Sequence, residues 1–98
     1  MTAPRKFDPA NYLDDDAAVA TYVTEALETG DLRFIADALG VAARARGMSK
    51  VAAATGLSRE SLYRALSADG NPEFGTVLSV MAALGIRLTA EPGRPEAA

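Results

Sequence analysis

The 98-residue chain predicts an all-α fold of five helices in a single domain. Two observations carry that prediction. Apolar residues recur three and four positions apart through most of the chain, and glycine, proline or capping residues separate each run from the next. The exception is residues 86–90, Ile-Arg-Leu-Thr-Ala, which alternate with period two and allow one short C-terminal strand.

The elements follow in order. Residues 1–13 lack a helical period and hold Pro4 and Pro9, so an extended N-terminal segment is expected. Asp14, Asp15 and Asp16 then precede Val19, Tyr22, Val23, Ala26 and Leu27, the spacing of an amphipathic helix. Consecutive carboxylates cannot all face one ion, and a helix N-terminus favours negative charge, so a cap is expected and not a metal site. Thr29 and Gly30 end this helix and Asp31 caps the next. The second helix places Ile35, Ala38, Leu39 and Ala42 on one face, tolerates Gly40 and stops at Gly47. Pro72 precedes a last helix carrying Phe74, Val77, Leu78, Met81 and Leu84, closed by Gly85. Residues 14–90 thus form the folded domain, and residues 91–98, with two prolines, a flexible tail.

Between these helices, residues 49–66 spell two short helices and a tight turn. Ser49 is the expected N-cap of the first, whose alanines favour helix. Gly56 falls where the chain must turn with positive φ. Ser58 caps the second helix, and Leu57 before it can staple onto Leu62. Ala52 sits at the expected crossing, and Val51, Leu57, Leu62 and Leu66 face inward. Arg59, Glu60, Ser61, Tyr63 and Arg64 are then left pointing outward.

That outward set suits the major groove of double-stranded DNA. Arginine can bond guanine bidentately and glutamate can accept from cytosine, and the first turn of such a helix reaches base edges. Lys50, Arg44 and Arg46 are expected nearer the phosphates, with Asn71 in the following loop and Ser58 at the helix start as further contacts. Charge supports this. Residues 44–66 carry five cations against Glu60, a net +4, inside a chain of net −3, whereas residues 1–31 carry −5. A plain helical hairpin with solvated charges remains the alternative.

The chain has no cysteine and no histidine, which removes disulfides, thiolate sites, the usual general base and the commonest metal ligand. No catalytic constellation, cofactor site or metal site is expected, and Ser61 and Tyr63 lack a base to activate them. No apolar run approaches a membrane span, and the N-terminus lacks a signal peptide's apolar stretch, so a cytoplasmic protein without membrane partners is expected. Phe7, Tyr12, Tyr22, Phe34 and Phe74 are dispersed and expected mostly in the core, with Tyr63 beside the reading face.

Arg46-Gly47-Met48-Ser49, the string from Gly56 to Tyr63, Gly70-Asn71-Pro72 and Ala83-Leu84-Gly85 resemble the addiction-module antidote family. These are antitoxins with a lambda-repressor-like helix-turn-helix, paired with toxins similar to RelE and ParE. The likeness runs from about Tyr12 to Leu88. Against the general motif, Thr55 stands where an aliphatic residue is usual and Ala65 is small. The resemblance implies a five-helix fold, operator binding, autorepression and a toxin partner, with Arg59, Glu60 and Arg64 in base-reading positions. A small basic toxin would suit the acidic N-terminal end, with Phe7 and Tyr12 as anchors. A homodimer is expected through the 86–90 strand, with Ile86 and Leu88 at its interface, since a lone strand cannot satisfy its own backbone. Two other functions stay open from the residues alone: a free-standing regulator without a toxin, and an interaction module that no longer binds DNA.

Overall fold

In the computed structural model, residues 9–93 are described. Five α-helices follow one another: α1 Asp16–Glu28, α2 Leu32–Arg46, α3 Met48–Thr55, α4 Arg59–Ala65 and α5 Phe74–Ala83. Among the described residues no strand forms. Residues 9–12 wind into a 3-10 turn against α2, and Leu13 packs on the core, so this part of the N-terminal segment is folded, not extended.

α2 is the centre of the molecule. α1, the 3-10 turn, α3 and α4 all pack against it, and α5 packs on α3. The expectation of one apolar face is therefore too narrow. Ala36, Ala38, Leu39, Gly40, Val41, Ala42 and Ala43 are all buried, because α1, the 3-10 turn, α3 and α4 cover the middle of the helix, while Leu32, Arg33, Phe34, Asp37 and Arg44 stay exposed. Its small residues permit this. At Gly40, which is required and not merely tolerated, a Cβ would collide with the Leu66 carbonyl oxygen. The core is completed by Val19 and Val23 of α1, Met48 and Val51 of α3, Leu62 and Leu66 around α4, and Val80, Met81 and Leu84 around α5.

Helix ends follow local chemistry with one correction. Asp15 accepts from the Ala18 N–H at 2.8 Å, and Asp31 accepts from the Arg33 N–H at 3.0 Å. Ser49, the expected cap of α3, lies inside that helix instead. Gly47 takes the cap position without a side-chain bond, since α2 and α3 abut at this one residue and no room remains for a longer lead-in.

The aromatic expectation is also corrected. Tyr12, Phe34 and Phe74 are exposed and Tyr22 is half-buried, while Tyr63 is exposed as expected; Phe7 lies outside the described residues. In α5 the buried face runs through Val80, Met81 and Leu84, which turns Phe74 and Leu78 outward. Burial pushes the Tyr22 hydroxyl above its ordinary pKa, and Asp37 adds to the shift while Arg44 opposes it.

Candidate nucleic-acid interface

The hairpin of α3 and α4 forms as its residues dictate. Gly56 adopts φ 77° and ψ 7°, a left-handed conformation that a side chain would strain, and its N–H closes α3 on the Ala52 carbonyl. Thr55, the departure from the usual aliphatic residue, has its own role. Its hydroxyl donates to the Val51 carbonyl at 2.8 Å and accepts from the Leu57 N–H at 3.3 Å, bonding both sides of the turn. Ser58 then caps α4, accepting from the Ser61 N–H at 3.0 Å and donating to the Ser61 hydroxyl at 2.9 Å.

Packing aims the rest. Leu62 is the one fully buried side chain of α4, with Leu66 just beyond it, and Val51 anchors α3; Leu57 and Ala52 pack partly against the same core. Rotation about that anchor turns Glu60, Tyr63 and Arg64 to solvent, with Arg59 exposed at the first turn. Lys50 on α3 and Asn71 in the loop before α5 are exposed as well. Among the described residues, the side chains of Lys50, Arg59, Glu60, Arg64 and Asn71 make no hydrogen bond or ion pair. Long charged side chains held ready but unsatisfied are what a polar ligand needs.

The structure narrows the cationic patch. The Arg46 guanidinium bonds the Asp16 carboxylate and the Leu84 carbonyl, tying α2 to the start of α1 and the end of α5. It therefore serves the fold and is withdrawn from the expected phosphate contacts. Arg44 stands near Tyr22 of α1. The hairpin face itself keeps Lys50, Arg59 and Arg64 against Glu60, a net +2.

Sequence reasoning missed a second brace. Arg33, in the first turn of α2, donates to the Ala68 carbonyl at 3.1 Å and to Asp69 at 3.2 Å. It holds the loop that follows α4 and leads to Asn71. No local pattern signals this contact, because the partners are 35 and 36 residues apart. Of the expected partner residues, Tyr12 is exposed, Ile86 is half-buried against the core, and Leu88 is exposed. Residues 86–90 form no ladder within the single chain, for want of a neighbouring strand.

Fold and site together define a small all-helical protein that displays an open, cationic helical hairpin. The family described as "Probable addiction module antidote protein" matches residues 3–92, and the chain belongs to that family. A relative from Haemophilus influenzae, described as an uncharacterized protein, is 42% identical over 90 residues, covering 92% of this chain and 93% of its own. No solved structure matches the chain. Family membership supports an antitoxin role and, in general terms, a toxin partner. Among the described residues no helix is long and apolar enough to cross a membrane.

Proposed function

We propose that this protein is the antitoxin of a toxin–antitoxin module that also binds its own operator as a cytoplasmic, dimeric repressor. The observation that carries DNA binding is the α3–α4 hairpin, two short helices joined at Gly56, which we read as a helix-turn-helix. Its second helix is capped by Ser58, anchored by Leu62 and open to solvent at Arg59, Glu60 and Arg64. Such a helix enters the major groove by its N-terminal turn, so Arg59 reads a guanine edge and Glu60 accepts from a cytosine. Lys50 and Asn71 flank the reading helix and, with Tyr63 on that helix, hold the sugar–phosphate backbone, while Ser58 and Ser61 sit at its start.

The toxin contact belongs to the acidic end. Asp14 before α1 and Glu25 and Glu28 on it are exposed, and Glu25 lines a shallow hollow of about 390 Å³ together with Leu13, Ala17, Ala18 and Tyr22. Toxins whose targets are polyanionic carry basic surfaces, and such a partner, RelE- or ParE-like, is steered to this end and anchored on Tyr12 and Phe7. Dimerisation uses the C-terminal part, where Ile86 anchors the segment to the core and Leu88, with Phe74 and Leu78 of α5, is exposed.

Titration of the protein on its own promoter DNA at several salt concentrations tests the reading. Arg59→Ala is expected to weaken specific binding by about 1–3 kcal/mol and to relax preference at one base pair. Lys50→Ala weakens all sequences alike and lowers the salt slope by about 1. Binding that is insensitive to salt and to both substitutions would sink the proposal.

A further inference from the structure

Building on the dimeric reading above, we infer that residues 87–91 pair with the same residues of a second copy in one register, an antiparallel ribbon centred on Thr89. Residues 87–93 form neither helix nor strand, and none of them makes a hydrogen bond among the described residues. A row of backbone donors and acceptors therefore stands open, as on a sheet edge.

One anchored group sets the orientation. The Ile86 N–H donates to the Met81 carbonyl of α5 at 3.1 Å, and the Ile86 side chain packs on the core. Along a strand, successive residues direct their N–H and C=O groups to opposite edges. With Ile86 directed inward, Leu88 and Ala90 share the inner edge, and Arg87, Thr89 and Glu91 offer theirs outward. Pro92 has no N–H, and this parity puts it on the inner edge, where the missing donor costs the ribbon nothing.

Charge selects the register. Arg87 and Glu91 lie symmetrically about Thr89, so the stretch is complementary to itself when antiparallel. Centred on Thr89, the ribbon sets each Arg87 opposite Glu91 of the second copy and Leu88 opposite Ala90 on the other face. A slip of one residue sets Arg87 against Ala90, and neither ion is paired. This self-matching order is the reason for assigning the place to a second copy and not to an unrelated strand.

Sedimentation of the full chain decides the matter. Arg87→Glu and Glu91→Arg should each raise the dimer dissociation constant about tenfold, since each replaces two attractive cross-strand pairs by two repulsive ones. An equimolar mixture of the two variants should recover dimer, and so should the doubly swapped chain. Thr89→Pro should break the dimer, while Ala90→Pro, on the inner edge, should leave the constant within about twofold. A dimer indifferent to the swaps, or broken equally by both prolines, would overturn the register. If Phe74→Ser alone dissociates it, the dimeric reading survives and the contact moves to α5. A wild-type chain that stays monomeric at about 100 µM, a concentration at which even weak self-association shows, would remove the dimeric reading as well.

Discussion

α2 and α4 solve opposite problems. α2 is covered through its middle, with seven consecutive or near-consecutive residues from Ala36 to Ala43 buried, and its small side chains let four neighbours approach. α4 is half its length and buries only Leu62, holding its place by one leucine, one serine cap and the glycine turn before it. The middle of α2 is committed to packing, whereas four of the seven residues of α4 stand exposed. The proposed reading helix is thus the one that the core needs least.

Substitutions sharpen this contrast. Leu39 is fully buried at the heart of α2, so Leu39→Ala should cost about 2–5 kcal/mol in urea unfolding and lower operator binding only through the loss of folded protein. Gly40→Ala, which forces a methyl group against the Leu66 carbonyl, should cost about 1–3 kcal/mol in the same measurement. A tolerated alanine there would show that α2 and the end of α4 can part cheaply, and the contrast would weaken. Ser58→Ala removes the cap of α4 and should cost about 1 kcal/mol, with a larger loss of DNA affinity than that stability change explains. Arg64→Ala should change stability by less than about 0.5 kcal/mol, because its side chain is exposed and unbonded, yet reduce operator binding in a gel-shift titration.

The smallest effect tests the α1–α2 seam. The raised pKa of Tyr22 means that the folded state holds the phenol proton more tightly than the unfolded chain. Its contribution to stability is full below the ordinary tyrosine value of about 10 and is lost as pH rises through the folded value. Thermal melts at about pH 9 and pH 11 should show a steeper alkaline loss for the wild type than for Tyr22→Phe. Equal losses would mean that the seam opens before the phenol titrates.

Much of this architecture is legible from local chemistry. Asp15, Asp31 and Ser58 cap where their side chains can reach an N–H within three residues, and Gly56 turns where only a residue without Cβ does so freely. The all-α class, the hairpin and the outward set on α4 follow from such short-range rules and from apolar spacing. Ser49 failed as a cap because the α2–α3 junction is one residue long, which spacing alone does not show. The aromatic residues failed likewise, since hydrophobicity states a preference for burial and not which side of a crowded helix a neighbour occupies.

By itself, then, the sequence determined where α1, α2 and α4 start, which turn after α3 is left-handed and which side chains of α4 have no inward place. Each of these is decided within one or two turns of chain. Only the tertiary structure decided that α2 is buried through its middle, that Gly40 meets Leu66, that Arg46 is held by Asp16 and Leu84, and that Arg33 braces the loop at Asp69. Those contacts join residues 26 to 38 positions apart, and their partners are set by how five helices fill one volume, a condition that no local pattern encodes.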